Sequence, residues 1–107
     1  MLYLITRHKA TLEWLEKQLD QTSAYVHTPH LAGLHTLKAG DHVIGNLPID
    51  KIARLTSQGV RYTHIILNVP FNMRGKEYEA GDLEIFGAYL QAFQVNAISA
   101  SDCKVLG

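Results

Sequence analysis

A single cysteine, Cys103, among 107 residues leaves no thiol pair, which excludes an internal disulfide, a thiolate zinc cluster and a two-cysteine redox centre. A chain built without disulfides suits a reducing compartment, so the cytoplasm is the expected location. An excess of one charge is also missing, because ten basic residues balance ten acidic ones. A field that sums to zero cannot gather long nucleic acid by counterion release alone. Any anionic ligand must therefore be held by a local pocket. The same balance removes the self-repulsion that keeps proteins apart, which favours self-association and makes a dimer unsurprising. No apolar run is long enough to cross a bilayer, and the first eight residues lack the basic leader and apolar length of a secretory signal. No membrane association is expected.

What is present is ordinary globular material, with 47% hydrophobic and 19% charged residues. A chain of this length buries roughly two-thirds of its unfolded surface in one core, so residues 1–107 are expected to form one domain. No repeat, low-complexity run or linker interrupts it.

Residues 2–6 form a short apolar run and predict a strand buried on both faces. Leu12, Leu15 and Leu19 recur at three and four, predicting a first helix over 11–19 with Thr11 as N-cap and Glu13 in its first turn. A weaker strand over 23–28 ends at Pro29, and residues 29–40 give no clear signal. A short strand over 41–45 precedes a helix opened by Pro48, carrying Ile49, Ile52 and Ala53 on one face and closed by Gly59 as a left-handed cap. Residues 64–67 are the clearest buried strand. A polar loop over 71–79 then leads into a last helix on which Leu83, Phe86, Leu90 and Phe93 share a face. The small, polar tail from Asn96 adds at most a marginal edge strand. Strands joined by helical crossovers lie parallel. The fold class expected is therefore α/β: a small Rossmann-like three-layer fold, with a mostly parallel sheet and helices on both faces.

In such sheets ligands bind beyond the carboxyl ends of the strands, where loops gather and helix N-termini point amides outward. Three segments lie just past strand ends: Thr6, Arg7 and His8; Gly45, Asn46, Leu47 and Pro48; and Asn68, Val69 and Pro70, with Arg74 and Gly75 a few residues on. Arg7 and Arg74 each bring a planar fork of donors suited to phosphate. Histidine is the side chain that exchanges a proton near neutral pH, which makes His8 a candidate proton carrier. Each of these residues has an equal claim to be a solvated loop or surface charge; the convergence of all three segments at one sheet edge favours a phosphate-bearing nucleotide ligand. His27, His30 and His35 invite a metal reading, but Pro29 interrupts them, no carboxylate sits close by and the spacing matches no zinc pattern. They are read as loop histidines, and no metal or cofactor is expected. His42 reads as an exposed strand residue, His64 as a satisfied interior or supporting histidine, and Trp14 as packing for the first helix. The glycines form neither a phosphate loop nor a dinucleotide pattern. Glu77 and Glu79 flank the last helix and complement its dipole, although Glu77 is also a candidate active-site carboxylate.

Taken in order, Thr6-Arg7-His8 with Trp14 downstream, the run Gly40-Asp41-His42-Val43-Ile44-Gly45-Asn46-Leu47-Pro48, and residues 64–70 followed by Arg74-Gly75-Lys76-Glu77 resemble small stand-alone proteins encoded beside type III CRISPR systems. The resemblance spans most of residues 3–95 and is specific as an ordered set. It implies a Rossmann-like domain related to those that sense cyclic oligoadenylates. It further implies a ring nuclease that cuts cyclic tetra-adenylate and so switches off the antiviral response, working without metal and as a homodimer. By that likeness Arg7, His8 and Arg74 carry the reaction. Thr6, Asn46, Leu47, Pro48, Asn68, Pro70, Gly75 and Glu77 would line the ligand site. Two positions depart from the pattern. Asn46 stands where a small hydroxyl residue is expected, and Asn68 where a carboxylate is common, which leaves a non-catalytic module that binds and sequesters the nucleotide as the alternative.

Overall fold

A computed structural model describes residues 1–20, 23–31 and 37–99. Among these residues five strands and three α-helices follow one another: β1 Leu2–Ile5, α1 Lys9–Gln18, β2 Tyr25–Thr28, β3 His42–Gly45, α2 Ile49–Ser57, β4 Arg61–Ile66, a 3-10 turn Phe71–Met73, α3 Ala80–Ile85 and β5 Tyr89–Phe93. The strands form one sheet in the order β2-β1-β3-β4-β5. The first four run parallel and β5 runs antiparallel beside β4.

Alternation along the central strands sends side chains to opposite faces. Leu4, Ile44 and Ile65 point to one face, where they pack with Trp14 and Leu15 of α1 and Ala80 and Leu83 of α3. Ile5, Val43 and Tyr62 point to the other, where Ile52 and Leu55 of α2 and Val60 meet them. Both faces of the sheet are therefore covered, as a mostly parallel sheet requires, and the layering is α/β and compatible with a small Rossmann-like fold. Leu4, Leu15, Val43 and Leu83 are wholly buried, each contributing roughly 1.5–3 kcal/mol by leaving water.

Several expected boundaries move. The first helix begins at Lys9 with His8 as its N-cap. Thr11 is therefore not a cap but a buried residue inside the helix, 3% exposed, and the first turn holds no acidic residue. Helix α2 opens after Pro48 as expected, yet Ile49 is 72% exposed, so Ile52, Ala53 and Leu55 carry the buried face. The largest difference lies at the end. The last helix stops at Phe86 rather than running to Phe93, and residues 89–93 form a strand. Gly87, at φ +70°, closes α3 by donating to Glu84 O while Ala88 donates to Leu83 O; the helix cannot continue through this left-handed turn. The same pair of bonds closes α2, with Gly59 at φ +82° donating to Thr56 O and Val60 donating to Leu55 O. Residues 94–99 add no strand.

Candidate functional site

β1 and β4 end at the same edge of the sheet, and both of the chain segments that follow open onto the face covered by α1 and α3. Thr6 shapes the first of them. Its amide donates to Thr28 O at 3.2 Å, its hydroxyl accepts the His8 N–H at 3.1 Å, and its carbonyl lies 3.0 Å from His27 Nε2. A carbonyl only accepts, so His27 carries its proton on Nε2 and is occupied in holding this turn. Arg7 and His8 are exposed on the far side of the turn, and the His8 carbonyl starts α1 by accepting the Leu12 N–H.

After β4 the chain runs through residues 67–70 without regular structure and then tightens. Met73 N–H donates to Pro70 O and Arg74 N–H to Phe71 O. Lys76 N–H returns to Met73 O at 3.2 Å, with Arg74 at φ −66°, ψ 135° and Gly75 at φ +80°. These angles define a type II turn, which demands a left-handed residue at its third position. Gly75 is required for that conformation rather than for space, since a side chain there would meet nothing within 4 Å. The turn sets the backbone conformation from which the Arg74 side chain leaves.

The two segments face each other across a cleft of about 1360 Å³. Arg7, His8, Lys9, Glu13 and Lys17 line it from the first segment and α1; Leu67, Val69, Arg74, Gly75, Lys76, Glu77, Tyr78 and Glu79 line it from the second. Five cationic side chains thus stand against three carboxylates. Lys9 and Glu13 approach to 4.0 Å with both side chains substantially exposed, a pair that contributes little to stability. Arg7, Lys17, Arg74 and Lys76 outnumber the remaining carboxylates, Glu77 and Glu79, and each guanidinium carries a fork of donors that can meet a phosphate in two-pronged fashion. Beside them the rings of His8 and Tyr78 lie 6.3 Å apart and 29° from parallel, and Tyr78 sets its edge or face against Phe86 at 5.8 Å and 79°.

Of the residues singled out from sequence, Arg7, His8, Arg74, Gly75 and Glu77 come together here. Thr6 supports the turn from behind. Asn68 and Pro70 do not line the cleft: Leu67 and Val69 face it, and the intervening Asn68 is exposed outside it. The Asn46-Leu47-Pro48 segment is also outside it. It leaves β3 at the same sheet edge but leads into α2, which covers the opposite face, so the chain turns away from the cleft. Two of the three strand-end segments therefore meet, not all three.

Of that segment Leu47, together with Gly45 before it, belongs instead to a network around Tyr62. The Tyr62 hydroxyl donates to Gly45 O at 2.9 Å, accepts the Leu47 N–H at 3.0 Å and lies 2.7 Å from His64 Nδ1. The phenol has one proton and Gly45 O takes it, so His64 must donate from Nδ1. Burial pushes the Tyr62 hydroxyl up to about 12 and holds His64 below its ordinary range. His64 is thus a supporting residue. His42 is half-buried rather than exposed, with Nε2 2.7 Å from the Thr63 hydroxyl; burial first and neighbouring Arg61 second lower its pKa. Trp14 packs α1 at 2% exposure and donates from Nε1 to Glu84 at 2.8 Å. Among the described residues, no three His, Cys, Asp or Glu side chains gather as a metal ion needs; His35 lies outside those residues. No described helix is long and apolar enough to cross a membrane.

Sequence reasoning missed Lys9, Lys17, Lys76 and Tyr78. Lys9 extends the Arg7-His8 run and Lys76 the Arg74-Gly75 run, so their neighbours carried a signal; Lys17 shares a helix face with Ala10 and Glu13 at spacings of three and four, and only the fold shows that this face borders the cleft. No curated protein sequence and no solved structure matches the chain. A family model described as "Putative CRISPR-associated protein (Cas_VVA1548)" matches residues 3–96. Because that match takes in nearly the whole chain, including both segments that form the cleft, the protein belongs to this CRISPR-associated family.

Proposed function

We propose that the protein is a metal-independent ring nuclease that opens cyclic tetra-adenylate, so ending type III CRISPR antiviral signalling in the cytoplasm. The observation that carries this reading is the meeting of Arg7 and Arg74, from distant parts of the chain, on one cleft. In the proposed reaction a ribose 2′-oxygen attacks the adjacent phosphorus and the bond from phosphorus to the 5′-oxygen breaks. The attacking hydroxyl gives up its proton, the leaving oxygen gains one, and a linear product with a 2′,3′-cyclic phosphate results. Arg7 and Arg74 would hold the phosphate and offset the charge that builds on its oxygens. His8, at the mouth of α1, would deliver the proton to the leaving oxygen. Positioning supplies much of the remainder, since attack needs the 2′-oxygen in line with the departing group. A two-fold ligand is matched by a two-fold site, and the working unit is proposed to be a homodimer.

The alternative reading, a module that binds the cyclic nucleotide and lowers its free concentration without cutting it, draws on Asn68. The amide replaces the carboxylate that the resemblance leads one to expect, and it faces solvent outside the cleft. Incubation with labelled cyclic tetra-adenylate, with protein in excess and chelator present, separates the two. Linear product supports the nuclease; intact, protein-retained ligand supports sequestration; absence of binding removes both.

A further inference from the structure

The cleft pairs its cations with an aromatic surface that phosphate binding alone does not call for. Tyr78 follows Glu77 on the loop that leads into α3, is half-buried, and lines the cleft beside Arg74 and Lys76. Two contacts fix its ring. Phe86, only 9% exposed, meets it nearly at right angles with centroids 5.8 Å apart, the edge-to-face geometry that aromatic pairs favour. His8 presents a ring at 6.3 Å, tilted only 29° from the Tyr78 plane, from across the cleft. A tyrosine kept only for packing has no need of an exposed flank among guanidinium and ammonium groups.

Cationic side chains that track a phosphate backbone, together with an aromatic face on which a base can lie, are the two parts of a single-strand nucleotide site. We infer that Tyr78 is a base-stacking platform: a nucleobase lies against the part of its ring that lines the cleft while Arg7 and Arg74 grip the neighbouring phosphate. The phosphate subsite and the base subsite are thereby assigned to different residues. This rests on the nucleotide reading of the cleft, but it does not require that the nucleotide be cyclic or that it be cut.

Adenosine 5′-monophosphate and ribose 5-phosphate share a phosphate and a sugar and differ in the base, so their affinity ratio isolates the base subsite. Nuclear magnetic resonance titration of the wild-type chain is expected to show the nucleotide binding about five- to a hundredfold more tightly, with the adenine protons shifted upfield by an aromatic ring. Y78L is expected to bring the two affinities together while leaving ribose 5-phosphate binding as it was; Y78F, which keeps the face and loses only the hydroxyl, is expected to retain the wild-type ratio. Equal affinities in the wild-type chain, no binding of either probe, or an undiminished ratio in folded Y78L would overturn the assignment. If Y78L does not fold, the upfield shift on the wild-type chain decides: its presence supports the platform and its absence removes it. Base discrimination without cleavage of cyclic tetra-adenylate would uphold Tyr78 and dismiss the phosphodiesterase.

Discussion

The hydroxyl of Tyr62 stands 2.9 Å from the Gly45 carbonyl, bonding the middle of the sheet to the point where β3 ends. The same oxygen takes the Leu47 amide at 3.0 Å, so one buried side chain anchors the whole entry into α2. Removing only that oxygen in Tyr62→Phe leaves a carbonyl and an amide without their partner in a site that is 1% exposed. An unsatisfied buried group costs about 1–3 kcal/mol. Urea unfolding should show a loss of that size with an unchanged slope; a loss under about 0.5 kcal/mol would mean that water replaces the phenol.

His42 and His64 give stability a dependence on acid. Both are held below the ordinary histidine value of 6.5, His64 by burial and His42 by burial and then by Arg61. The unfolded chain therefore takes up these protons at a higher pH than the folded chain. Their contribution is complete above about pH 6.5 and is lost as pH falls from there through the lower folded-state values. Unfolding midpoints measured between pH 8 and pH 5 should decline on the acid side of that window, and less steeply in His42→Gln. A midpoint that rises on acidification would contradict the burial argument.

Gly75 tests whether the turn aims Arg74. At φ +80° with open space around it, Gly75→Ala meets no clash, only the strain of a left-handed alanine, about 1 kcal/mol. A modest drop in stability should accompany a larger fall in phosphate affinity, because relaxation of the turn redirects the guanidinium. Unchanged affinity for inorganic phosphate would show that Arg74 finds its position without the turn.

Trp14 separates packing from hydrogen bonding. Glu84 is exposed and can return to water, so Trp14→Phe, which loses the bond and part of the buried ring, should cost about 1–2 kcal/mol, whereas Trp14→Ala, which empties a site 2% exposed beside Leu15 and Leu83, should cost about 3–5 kcal/mol. Thermal denaturation of the two variants distinguishes them, and similar losses would indicate that the bond to Glu84 matters more than the filled volume.

How much of this was legible from sequence depended on how local the deciding interaction is. Pro48 and Gly59 bracket α2 through their own backbone preferences, and the run ending at Leu67 is apolar enough to be a buried strand wherever it sits. Leu90 and Phe93 misled because their spacing continues the helical series of Leu83 and Phe86, whereas in β5 it sends them to opposite faces of the sheet, paired with Ile65 and Tyr62. The deciding residue was Gly87, whose left-handed turn frees residues 89–93 to pair with β4. Thr11 has the chemistry of a cap, but α1 starts earlier, at Lys9, and buries it. For the site, Arg7 and Arg74 were visible as cations past strand ends. The direction taken by residues 46–48 was not, since it follows from which face of the sheet α2 covers. Tyr78 was hidden because its role depends on Phe86 and His8, which reach it only in three dimensions.

The joint grip of Arg7 and Arg74 on one anion is the claim beneath the rest. A double-mutant cycle tests it most directly, with binding of labelled cyclic tetra-adenylate in chelator measured for the wild type, Arg7→Ala, Arg74→Ala and the double variant. Partners on one phosphate interact, so each single loss should weaken binding strongly and the double loss should fall short of their sum, with a coupling of about 0.5–3 kcal/mol. Losses that add without coupling, or single variants that bind as the wild type does, would contradict the shared site.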